Sequence, residues 1–86
     1  MASSYTVRNR TVFPIWVSMD TDREQHLIQP AGSAIFVKAN PLDRPTFKAY
    51  AVAGSGERGS LLAAKKASYW QALWAEGTFT FNGTSF

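Results

Sequence analysis

Three tryptophans, three tyrosines and six phenylalanines fall in a chain of only 86 residues that has no cysteine. This combination constrains the fold more than any other feature. Without cysteine there are no disulfide staples and no thiolate metal sites. A domain of this length buries roughly 60–65% of the surface its unfolded chain exposes, so its stability is marginal. The remaining routes to stability are large packed rings or a partner chain. The ring surface exceeds what a minimal core needs, so part of it is expected in recognition or assembly.

The length implies a single domain over residues 1–86. Nine Lys/Arg against six Asp/Glu give a net charge of +3. The basic residues are scattered and only Lys65 and Lys66 are adjacent, whereas a dedicated nucleic-acid binder shows a denser stripe. No apolar h-region follows Met1–Tyr5, so no signal peptide is expected. The apolar runs are too short for a transmembrane segment. The compartment is not fixed by these features.

Hydrophobic alternation predicts a mainly β fold. Tyr5 and Val7 alternate with Thr6 and Arg8 over residues 4–9. Residues 11–19 are rich in β-branched and aromatic types. There Phe13, Ile15 and Val17 are expected on one face and Trp16 on the other. Pro14 cannot donate to a ladder, which predicts an edge or bulged strand. Further strands are expected over 25–29, with Leu27 and Ile28 inside, and over 33–38 and 46–53. A turn is expected at Pro30-Ala31-Gly32, and a mobile loop at 54–59.

Residues 60–76 read two ways. Ser60 suits an N-cap, Gly77 suits the position after a helix, and Leu61 to Ala67 favour helix. A strand over 67–75, with Trp70 and Trp74 on one face, is the rival, and the helix is preferred. Thr78 to Phe81, then Asn82-Gly83, then Thr84 to Phe86 reads as a hairpin with a type I′ turn. The expected fold is a small antiparallel β-sandwich or barrel of about five to six strands with a helix over about 60–76.

No motif specifies catalysis. Asp20, Asp22 and Glu24 alternate like calcium ligands, but Gln25 and Ala31 stand where an EF-hand loop needs Gly and Glu. They read as a solvated turn. His26 is the only imidazole and has no nucleophile framework around it. Gly54 to Gly59 spells G-x-G-x-x-G, yet too little chain follows for a dinucleotide-binding domain. What survives of that resemblance is an anion held by Arg58, Lys65 and Lys66 near a helix N-terminus. No metal and no cofactor is expected, and the chain is not expected to be an enzyme.

The candidate ligand or interface residues are Trp16, Tyr50, Tyr69, Trp70, Trp74, Phe79, Phe81 and Phe86. Arg44, Lys48 and Gln71 would be polar neighbours of this aromatic platform. The leading expectation is a β-sandwich that self-associates into a homo-oligomer or larger assembly, with Trp16 and the 79–86 hairpin at subunit contacts. A lectin-like module that stacks a glycan on exposed rings is the first alternative, and it combines naturally with multivalency. A weak binder of nucleic acid or of an anionic membrane is the second, disfavoured by the mild charge.

Overall fold

The computed structural model describes residues 3–20, 24–38, 44–68 and 77–86. Seven strands are present: β1 (Ser3–Asn9), β2 (Ile15–Met19), β3 (Glu24–Ile28), β4 (Ser33–Lys38), β5 (Thr46–Val52), β6 (Arg58–Lys66) and β7 (Thr78–Phe81). They form two sheets, ordered β4-β1-β7 and β3-β2-β5-β6. All pairings are antiparallel except β1 with β7, which is parallel.

Period-two alternation fixes which residues meet between the sheets. Tyr5 and Val7 of β1, Phe36 of β4, and Phe79 and Phe81 of β7 are buried from one side. Ile15, Val17 and Met19 of β2, Ile28 of β3, and Phe47 and Ala49 of β5 are buried from the other. Together with Ala67 they make one core cluster, so the sheets pack face to face as a sandwich. Phe47 is its hub. Its ring lies 5.5 Å from Tyr5, 5.4 Å from Phe36 and 4.8 Å from Phe79, centroid to centroid. These edge-to-face and tilted contacts absorb four of the aromatic side chains, and Phe81 is buried in the same cluster.

The strands run alternately along the long axis. One end therefore gathers the connections 10–14, 29–32 and 53–57 with the C-terminal segment 82–86. Pro30-Ala31-Gly32 turns as expected, with Ala31 at φ 62° and the Gly32 N–H donating to the Gln29 carbonyl at 2.8 Å.

Five sequence expectations are corrected. The expected helix is replaced over residues 58–66 by β6, and no helix occurs among the described residues; 69–76 lie outside them. The helical propensity of Leu61 to Lys66 amounts to tenths of a kcal/mol per residue. The pairing of this segment with β5 overrides it. A bulge between the Ala49–Ala63 and Tyr50–Leu61 pairs leaves both Leu62 and Ala63 packed against the core.

The strand marked by Pro14 is not an edge. β2 lies between β3 and β5, and Pro14 sits just before its first residue, where no ladder N–H is required. Phe13 accordingly falls outside β2 and is partly exposed. Leu27 and Ile28 cannot share a face, and only Ile28 is buried.

The hairpin at 78–86 is also absent. The Asn82 Oδ1 accepts from the backbone N–H groups of Thr84 at 3.2 Å and Ser85 at 3.0 Å. The Asn82 N–H donates to the Ser85 carbonyl at 3.0 Å. The chain thus curls on itself and returns Phe86 to within 5.6 Å of Phe81. With no return arm, β7 takes β1 as its partner.

Candidate functional site

The outer face of the four-stranded sheet carries a row of side chains that crosses every strand. Trp16 of β2 pairs with Leu27 of β3 on one side and with Tyr50 of β5 on the other. Tyr50 pairs in turn with Leu61 of β6. Directly paired residues share a face, so Leu27, Trp16, Tyr50 and Leu61 form a continuous strip. Leu27 and Leu61 are exposed, and the two rings are half-buried. The parallel row below it is polar, with Gln25, Ser18 and Lys48 in register.

Arg58 ties these rows together. Its guanidinium stands 4.3 Å from the centroid of the Tyr50 ring, a cation–π stack. One of its nitrogens donates to Gln25 Oε1 at 3.4 Å. The Trp16 indole Nε1 donates to the Gly56 carbonyl at 3.0 Å and so pins the 53–57 loop. The same loop is closed by the Ala53 N–H donating to Glu57 O and the Gly56 N–H to Ala53 O, both at 2.8 Å. Gly56 holds φ 87°, the left-handed region that glycine adopts without strain. Below the row, Ser18, Asp20, Gln25, Lys48, Tyr50 and Arg58 line a shallow depression of about 280 Å³. It offers two cations, one carboxylate, a hydroxyl, an amide and a phenol.

The structure brings together only part of the expected set. Trp16 and Tyr50 are neighbours, and Arg58 joins them. Tyr69, Trp70, Gln71 and Trp74 lie outside the described residues. Phe79 and Phe81 are corrected from interface to core, because β7 turns them inward onto Phe47 and Phe86. Phe86 is half-buried against that core. The anion site is corrected too. There is no helix terminus at residue 60, and Arg58 begins β6 while Lys65 and Lys66 end it, roughly 23–26 Å along the strand at about 3.3 Å per residue. Arg44 is engaged elsewhere, donating from Nε to the Ala67 carbonyl at 2.9 Å.

The acidic alternation serves the fold. Asp20 Oδ1 accepts from the Thr46 N–H at 2.8 Å. Glu24 Oε2 lies 3.1 Å from His26 Nε2 and accepts from the Val37 N–H at 3.3 Å. Asp22 is outside the described residues. The His26 ring rests edge-on against Phe36, 4.8 Å between centroids. Among the described residues, no group of three His, Asp or Glu side chains could hold a metal.

Sequence reasoning missed a second exposed feature. β4 turns Ala34 and Phe36 inward and leaves Ile35 and Val37 62% and 50% exposed. The uninterrupted apolar run 34–37 is its signal, since a strand with only one buried face alternates with polar residues. The chain matches no family model, no curated protein and no solved structure, so the geometry alone carries the functional reading.

Proposed function

We propose that this chain is a non-enzymatic β-sandwich that self-associates, and that β4 carries the contact. The observation behind this reading is the exposed edge of β4, which no described strand pairs and on which Glu24 Oε2 covers the Val37 N–H. Within the β1–β4 ladder the Asn9 N–H donates to the Gly32 carbonyl at 2.9 Å. Antiparallel alternation then turns the backbone groups of Ala34 and Phe36 toward β1 and those of Ser33, Ile35 and Val37 outward. Among the described residues no strand pairs with that outer edge.

The other edges are better defended. β3 carries Glu24 and His26, β6 is bulged and ends in two lysines, and β7 spans only Thr78–Phe81. Short, charged or bulged edges resist pairing, whereas a flat apolar edge invites it. A second copy fits β4 about a two-fold axis through Ile35. Ile35 then faces its own mate, and Ser33 faces Val37 of the partner subunit. Two three-stranded sheets become one continuous sheet, in the closed symmetry commonest among dimers.

The test is solution mass by light scattering across a concentration series. The expected result is a dimer of the 9.5 kDa chain that reverts to monomer on joint Ile35→Lys and Val37→Lys substitution. A wild-type chain that stays monomeric at every concentration contradicts the proposal.

The outer row of the other sheet favours a second reading, a glycan-binding surface. Trp16 offers a ring for stacking, and Lys48 with Arg58 offers charge to a sugar carboxylate in the depression beside it. Titration with glucuronic acid while following tryptophan fluorescence tests this. The response is expected to vanish in Arg58→Gln, and silence of the wild-type protein would dismiss it.

A further inference from the structure

The connection between β1 and β2 holds two large apolar side chains in solvent. Val12 is 93% exposed and Phe13 41% exposed. This segment is rigidly built. Asn9, itself 1% exposed, donates from Nδ2 to the Phe13 carbonyl at 2.8 Å and to the Ile28 carbonyl at 3.1 Å. Its Oδ1 accepts from the Thr11 N–H at 2.9 Å and from the Thr11 hydroxyl at 2.6 Å. The Thr11 hydroxyl oxygen also lies 2.8 Å from the Phe13 carbonyl oxygen, so its single proton is shared between that acceptor and Asn9 Oδ1. The neighbouring Arg10 N–H donates to the Phe81 carbonyl at 2.9 Å. A buried, fully bonded amide is therefore committed to a bend whose tip leaves Val12 almost wholly in solvent and Phe13 partly so.

The surroundings of the tip are basic. Arg8 and Arg10 are exposed, and with Thr11, Gly32 and Ser33 they line an open depression of about 540 Å³ beside it. Of the described carboxylates, Asp20 and Glu24 lie at the opposite end of the sandwich and are bonded there. Glu57, in the 53–57 loop, is the one described acidic side chain that shares the end with the tip, alongside the C-terminal segment 82–86.

We infer that this end of the sandwich docks on an anionic phospholipid bilayer, with Val12 and Phe13 entering the acyl boundary and Arg8 and Arg10 meeting lipid phosphates. Two cations beside an apolar tip match the two layers of such a surface, a charged headgroup zone over hydrocarbon. Apolar burial and attraction to anionic lipid then add. Because the bend is already ordered, insertion requires no further ordering of the chain. This inference uses neither the β4 edge nor the Trp16 row.

Vesicle co-flotation of the full chain tests it, using phosphatidylcholine alone and phosphatidylcholine mixed with phosphatidylserine. Binding is expected only with the mixed vesicles. Val12→Ser with Phe13→Ser is expected to weaken it by at least about tenfold. Each of Arg8→Gln and Arg10→Gln is expected to weaken it by about fivefold. Val12→Ser alone, at a fully exposed position, keeps the test informative should the double variant not fold. Absence of binding to the mixed vesicles overturns the inference. So does binding that ignores the Val12 change, which would mean adsorption by charge alone. Arginine-dependent binding to single-stranded RNA without vesicle binding overturns it as well, and reassigns this end to nucleic acid.

Discussion

Replacing Asn9 by alanine tests how much of the fold depends on one buried side chain. Its amide satisfies two carbonyls and accepts from two donors, joining the end of β1 to the 10–14 bend and to the end of β3. Removing it takes one of two donors from the buried Ile28 carbonyl and leaves it the Ile15 N–H across the β2–β3 ladder, which costs about 1–1.5 kcal/mol. The Thr11 groups and the Phe13 carbonyl are only partly buried and can turn to water, so each adds about 0.5 kcal/mol. The expected total is about 3 kcal/mol, a large share of the roughly 5–15 kcal/mol typical of a domain. In a chain of this size that lowers Tm by roughly 12–24 °C. Urea unfolding followed by far-ultraviolet circular dichroism measures it, with an unchanged m value confirming that only stability has moved. Asn9→Asp is expected to be no better, because it keeps the acceptors but aims a carboxylate at two carbonyls. A loss below about 1 kcal/mol would refute the reasoning and show that the bend is held by its own backbone.

Three further perturbations follow from the same geometry. The Tyr5 hydroxyl is buried without a partner among the described residues, so Tyr5→Phe is expected to leave stability unchanged or raise it by about 1 kcal/mol, read by the same urea titration. Burial also pushes the Tyr5 hydroxyl above its ordinary pKa of 10.0. The unfolded chain therefore releases that proton first, and stability falls as pH rises past about 10; Tyr5→Phe should flatten that alkaline loss, and an identical pH profile would contradict it. Phe47→Ala removes the ring that Tyr5, Phe36 and Phe79 all contact and is expected to cost about 3–5 kcal/mol, enough to abolish the folded signal. Glu24→Ala uncovers the Val37 N–H at the β4 edge and is expected to tighten self-association in the light-scattering series; looser association would mean that Glu24 belongs to the contact itself.

Strand periodicity was the most legible part of the fold. Ser33 to Lys38 reads as a strand from composition and is one, and Trp16 is outward because Ile15 and Val17 are inward. Where local chemistry competed with tertiary pairing, the pairing prevailed. Leu61 to Lys66 has helix-forming residues but forms β6 because it pairs with β5, in a ladder that tolerates a bulge. Pro14 suggested an edge, yet one position outside β2 it has no ladder bond to break. Asn82-Gly83 suggested a hairpin, but the Asn82 side chain caps the following residues before a second arm can form. The candidate site was half legible. Trp16, Tyr50 and Arg58 are visible as chemistry, but their meeting depends on cross-strand register, which spacing along one chain does not specify. The exposed Ile35 and Val37 were hidden inside an apolar run that reads equally well as core.

Because the chain has no native cysteine, single cysteines can report directly on pairing through β4. In the two-fold pairing about β4, Ile35 and its mate form a hydrogen-bonded antiparallel pair with Cα atoms about 5.5 Å apart, within disulfide reach. A single Ile35→Cys substitution, oxidised in dilute solution, should give a disulfide-linked dimer on a non-reducing gel. Val37→Cys alone should not, since its mates would lie about 13 Å apart along the strands, whereas Ser33→Cys combined with Val37→Cys should cross-link again. That pattern is expected of two-fold pairing through β4. Failure of Ile35→Cys to cross-link, or equal cross-linking by Val37→Cys, would contradict pairing through β4.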